Sequence, residues 1–115
     1  MDFANQYDKV KDSVFAVFQV DQNEQIKIGS GVYVDGGFAI TCAHCITDIN
    51  KMYITFDMIN LQKISNIKID TKLDLAVFPL EHKNPTVKIK TSKSLEIGKE
   101  CFFVGYPLDV NQQNA

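Results

Sequence analysis

The chain contains no arginine: its 12 basic side chains are all lysines, set against 14 acidic ones for a formal charge of −2. Without guanidinium there is no rigid planar fork to read phosphate or guanine, which argues against nucleic acid as a partner. Long apolar runs are missing as well. No segment is long enough to span a bilayer, so no membrane partner is expected, and the opening MDFANQYDKVKDS is too polar for a secretory leader. Cysteine is scarce, and the 3 present cannot all pair within one chain. Small secreted scaffolds carry a dense, even set, so the count points to a reducing compartment, such as the cytoplasm, or to an incomplete molecule.

What is present is ordinary globular material. With 115 residues, 45% hydrophobic and 23% charged, the chain makes one domain at most, burying roughly two-thirds of its unfolded surface. After a short polar stretch able to make one helical turn, β-branched and aromatic residues dominate Val14 to Val20 (VFAVFQV). Gln25 to Asp35 alternates apolar with polar or small residues, and Asp35-Gly36-Gly37 turns it into Phe38 to Cys42 (FAITC), the pattern of a tight hairpin. Further strands are expected at Lys51 to Phe56, Leu61 to Ile69 and Leu73 to Leu80. Glu81 to Glu100 is lysine-rich and broken by Asn84-Pro85 and Gly98, a connection across a surface, and one more apolar strand follows at Cys101 to Val104 (CFFV). Six evenly spaced strands in so short a chain predict an all-β, six-stranded antiparallel β-barrel.

Two ionisable residues stand where a plain core does not want them. His44 follows an apolar strand, in Thr41-Cys42-Ala43-His44-Cys45. Asp74 lies in Leu73-Asp74-Leu75-Ala76-Val77, apolar on both faces. A carboxylate in such surroundings needs a donor, and His44 is the obvious one. An imidazole held by a carboxylate is fixed in one tautomer and stabilised when it gains a proton, which is what a general base requires. Plainer roles exist: Asp74 accepting backbone hydrogen bonds at a strand start, His44 a satisfied interior histidine. Cys42, His44 and Cys45 also offer soft metal ligands, but three within four residues crowd a tetrahedral site and no second pair follows, so neither a metal nor another cofactor is expected. His82, in the polar connection, reads as a solvated surface residue.

Taken together, Gly29-Ser30-Gly31-Val32, Phe38 to Cys45, Asp74-Leu75-Ala76-Val77, and Gly98 with Phe103-Val104-Gly105-Tyr106-Pro107-Leu108 resemble the trypsin-like serine peptidases, most of all the Deg, or high-temperature-requirement, type. The resemblance runs from about Val10 to Leu108. It implies the first barrel of a chymotrypsin-like fold over residues 1–90, and a linker and first strand of an incomplete second barrel over 91–115. It implies that His44 acts as general base and then acid, with Asp74 orienting it and stabilising the imidazolium. For that to work, the two side chains, thirty positions apart, must meet across the inside of a rolled-up sheet.

The sequence also departs from that family. The nucleophilic serine, announced there by Gly-Asn/Asp-Ser-Gly-Gly in the second barrel, has no counterpart. Ser13, Ser65, Ser92 and Ser94 lack the glycine context, and the glycines around Ser30 fit close packing better than a nucleophile elbow. Cys45 follows the histidine as in the digestive enzymes, but the cysteine that would bridge to it from the Gly29 to Gly31 strand is missing, so no disulfide is expected. The expected function is serine endopeptidase, present as an N-terminal half inactive by itself. Its partner is a polypeptide substrate or a complementing second-barrel chain. The alternative is a non-catalytic protein-binding module that offers a strand to its partner.

Overall fold

In the computed structural model, residues 3–89 and Gly105 are described. The predicted strand at Cys101 to Val104, the Gly98 turn, Ser92 and Ser94 lie outside them. The N-terminal stretch makes more helix than one turn: α1 (Phe3–Val10) runs into a 3-10 turn at Lys11–Ser13. Apart from a second 3-10 turn at Ala43–Cys45, the remaining elements among the described residues are strands of an antiparallel sheet.

The strands are β1 (Val14–Asp21), β2 (Glu24–Val34), β3 (Phe38–Cys42), β4 (Met52–Thr55), β5 (Gln62–Lys63), β6 (Lys68–Asp70) and β7 (Leu75–Pro79). They form one seven-stranded sheet in the order β5-β4-β1-β2-β3-β7-β6. The difference from six is instructive. The segment expected as one strand, Leu61 to Ile69, is two short ones, interrupted at Asn66, whose φ of 56° is left-handed. β5 and β6 follow each other in the chain yet occupy opposite edges. Laid flat, seven strands would put those edges about 29 Å apart, whereas the residues between Lys63 and Lys68 span at most about 18 Å. The sheet therefore curls strongly, and the connector closes the ring covalently where the hydrogen-bond ladder does not. Ile64 turns into the core from that connector, its N–H donating to the Met52 carbonyl at 3.1 Å.

The interior is filled by Phe15 and Val17 of β1, Tyr33, Ala39, Cys45, Met52, Ile54, Ile64, Phe78 and Leu80. Each fully buried large side chain contributes about 1.5–3 kcal/mol before the entropy of ordering it is subtracted. The strand-period alternation read from the sequence is plain in β3 and β7, where Ala39, Thr41, Ala76 and Phe78 point inward. Gly31 is required by packing: a Cβ there would come 2.4 Å from the Phe15 ring and 2.7 Å from the Ile40 carbonyl oxygen. Gly36 and Gly37, with φ of 95° and 80°, make the predicted turn into β3.

The polar connection after β7 is tied down at its start. The buried Ser13 hydroxyl donates to the Pro85 carbonyl at 2.7 Å, the Asn84 side-chain amide to the Asp12 carbonyl at 2.8 Å, and Val87 bridges Val34. His82 is correspondingly half-buried rather than solvated. It stacks on Phe56 with ring centres 4.3 Å apart, and its Nδ1 accepts the Asn84 N–H at 3.1 Å.

Candidate active site

β3 ends at Cys42, and the chain then makes a single 3-10 turn, Ala43–Cys45, that carries His44. Its neighbour β7 begins at Leu75 and pairs there with Cys42, so the residue just before β7 arrives beside that turn. That residue is Asp74, in a left-handed conformation with φ of 53°. Among residues with a side chain, aspartate is one of the few that tolerate this region.

Three bonds lock the two segments together. The Asp74 carbonyl accepts the Ala43 N–H at 3.0 Å, Oδ1 accepts the His44 backbone N–H at 2.9 Å, and Oδ2 stands 2.6 Å from the imidazole Nδ1. The His44 backbone N–H, followed by the imidazole, holds the Asp74 carboxyl below the usual carboxylate range. An ionised Asp74 sets the tautomer: Nδ1 carries the proton and donates it, which leaves Nε2 with its lone pair as the basic nitrogen. Since the His44 side chain is 71% exposed, the imidazole is open to solvent and to a reacting group.

The imidazole and carboxylate thus meet, but not where the sequence placed them. The contact lies at the rim of the sheet rather than inside it, and the Asp74 side chain is 48% exposed. The leucines that made its surroundings look like core are exposed too, Leu73 at 68% and Leu75 at 38%. Part of the backbone-acceptor role considered for Asp74 also holds, with the N–H coming from His44 rather than from its own strand. Beside the site an apolar hollow of about 800 Å³ is lined by Val14, Ser30, Val32, Ile40, Cys42 and Leu75, among others. Gly105 abuts its wall: a Cβ on that residue would come 3.3 Å from the Ser30 hydroxyl.

The other candidates separate from this pair. Cys45, the neighbour of His44, turns into the core, where burial pushes its thiol up and a Cβ placed on Gly29 would lie 2.7 Å from its Sγ. Cys42 and Cys45 are both free thiols. Ser30 lies within β2 opposite Ala16, between the two glycines whose hydrogens face Cys45 and Phe15. Ser13 is buried, its hydroxyl spent on Pro85. Of the Cys42, His44 and Cys45 set, Cys42 keeps His44 as a neighbour but has Asp74 in place of Cys45: its Sγ lies within 4.8 Å of both the His44 and Asp74 ligand atoms.

Comparison with known proteins places the fold. The structure is similar to that of a serine endoprotease from Yersinia pestis, with a TM-score of 0.67 at 21% identity over 85% of this chain. It is also similar to an inactive mutant form of Rv3671c from M. tuberculosis H37Rv, with a TM-score of 0.59 at 16% identity over 78% of the chain. It covers only 36% and 43% of those two chains, so the shared part is a partial chymotrypsin-like fold. No curated protein matches the sequence. The sequence profile of the trypsin-like peptidase domain matches residues 29–115, well over half of the chain. This chain belongs to the trypsin-like peptidase domain family.

Proposed function

We propose that this chain is the histidine–aspartate half of a serine endopeptidase. The observation that carries the reading is the contact of 2.6 Å between His44 Nδ1 and Asp74 Oδ2, held in place by two further bonds from the backbone of the same turn. In such a site Nε2 of His44 takes the proton of a serine hydroxyl as that oxygen attacks the peptide carbonyl, and returns it to the leaving amine. Asp74 holds the ring and stabilises the imidazolium between those events. In this reading the serine and the donors that stabilise the tetrahedral oxyanion belong to a second barrel, beyond the linker expected from residue 91.

The exposure of the site supports this reading. A dyad with half its surface in water, flanked by bare leucines and an apolar hollow, is one wall of a cleft, and Gly105 brings the chain back to that hollow. The edges of the sheet weigh against a module that binds by adding a strand at the barrel's rim, since β5 and β6 offer only two and three residues to a partner.

The test is enzymatic. The chain of 115 residues alone is expected to leave casein and small esters intact. A polypeptide translated on through the coding region after Ala115 is expected to cleave casein and to lose that activity with His44→Ala. Cleavage by the short chain alone, or cleavage by the longer one that survives His44→Ala, overturns the reading.

A further inference from the structure

Cys42 takes no part in the chemistry described so far, yet it stands at the site. It is the last residue of β3, it is exposed, and the turn that follows it carries His44. The Cys42 Sγ, an imidazole nitrogen of His44 and a carboxylate oxygen of Asp74 all lie within 4.8 Å of one another. The metal-ligand set visible in the sequence was Cys42, His44 and Cys45. The fold exchanges its third member: Cys45 goes to the core, and Asp74 arrives from thirty residues away.

We propose that Cys42, His44 and Asp74 form a zinc-binding site. Thiolate, imidazole and carboxylate are all ordinary zinc donors, and three protein ligands leave a fourth tetrahedral position for water. The soft sulfur selects zinc over magnesium or calcium, which prefer all-oxygen shells. Asp74 is already prepared as a one-oxygen ligand, because Oδ1 is committed to the His44 backbone N–H and Oδ2 alone faces the imidazole. Around zinc, neighbouring donor atoms sit roughly 3.3–3.6 Å apart. The histidine–carboxylate distance must therefore open from 2.6 Å, and any pair near the 4.8 Å limit must close, by rotation of side chains that are largely exposed.

On binding, the Cys42 thiol gives its proton to solvent, and the imidazole proton moves from Nδ1 to Nε2 so that the neutral ring ligates through Nδ1, the nitrogen that faces Asp74. With its proton on Nε2 and its ring held by zinc, His44 no longer serves the proposed peptidase as base, so the metal is a reversible inhibitor of turnover. That consequence rests on the peptidase reading. The binding does not, because every ligand lies within this chain.

The experiment titrates the metal-free chain with cobalt(II) and then zinc(II). One equivalent of cobalt is expected to produce a thiolate-to-cobalt charge-transfer band with intense tetrahedral d–d bands, and zinc is expected to displace it. Cys42→Ser should abolish the sulfur band and weaken zinc binding by more than the roughly 10–100-fold that loss of an outer-shell partner costs. Asp74→Asn should weaken zinc binding at least tenfold, and Cys101→Ser should leave both signals unchanged. No sulfur band at one equivalent, or zinc affinity unaltered by Cys42→Ser, overturns the site. Should a variant fail to fold, alkylation of the wild-type chain decides: stoichiometric zinc protects Cys42 if the site exists, and labelling at an undiminished rate refutes it. Neither readout involves peptidase activity, so failure here and failure of the peptidase reading are separable.

Discussion

Gly29→Cys should create a disulfide to Cys45 that the natural chain lacks. A Cβ on Gly29 lies 3.9 Å from the Cys45 Cβ, inside the 3.5–4.5 Å range that disulfides occupy, and 2.7 Å from its Sγ, a few tenths of an ångström short of the bonded geometry. Position 29 sits in β2 opposite Val17, next to the register shift at Val17/Phe18, where the ladder is already irregular and absorbs a small movement. The bridge would close the fifteen residues between positions 29 and 45, a loop whose constraint in the unfolded chain amounts to about 3 kcal/mol. For a chain of this size that is a rise in Tm on the order of 10–20 °C. The assay compares thermal melts of Gly29→Cys with and without reductant, in a Cys42→Ser background so that the exposed neighbouring thiol cannot mispair, and maps the linked peptides by mass spectrometry. With reductant the variant should melt at or below the parent, because the added side chain crowds the Cys45 thiol. Melts that coincide in both buffers, or an introduced thiol that stays fully reactive under oxidising conditions, refute the packing of Cys45 against β2.

Two further outcomes follow from the packing and bonding of the sheet and its rim. Gly31→Ala drives a methyl into the Phe15 ring at 2.4 Å and the Ile40 carbonyl at 2.7 Å, so chemical denaturation should show a loss of about 1–3 kcal/mol or more. A change under about 0.5 kcal/mol would contradict it. The Asp74 carboxyl is held below its unfolded value of 3.8 by the His44 N–H groups, so its contribution is complete above that value and disappears as pH falls through the depressed folded value. Denaturation of wild type and Asp74→Asn from pH 7 to about pH 2 should show a gap that closes in acid. A gap that stays constant across that range would remove the carboxylate from the argument.

The strands that frame the site were legible because their signals are local. Val14 to Val20 is β-branched and aromatic, and Asp35-Gly36-Gly37 carries the positive φ angles its letters advertise. The motifs around His44 and Asp74 likewise announced a pairing whose atoms do meet. What the letters hid depends on distant neighbours. Leu73 and Leu75 look like core, but whether they are covered depends on what packs against the rim, and here they stand exposed. The inward turn of Cys45 depends on Gly29 leaving room for its sulfur, and the half-burial of His82 on the ring of Phe56. The split of Leu61 to Ile69 did have a local signal, the Ser65-Asn66 pair in mid-segment, which the apolar residues on either side outweighed.

The backbone at Asp74 also limits how this position can drift over generations. Glycine would accept the φ of 53° but offers no acceptor to either His44 donor, and glutamate keeps the charge on an arm too long for both contacts. Asparagine alone preserves the outline, with Oδ1 still accepting the turn's N–H, while it presents an amide in place of an anion to the ring. A lineage abandoning the proposed chemistry would therefore pass most easily through asparagine, losing the anion that faces the imidazole while the barrel remains intact.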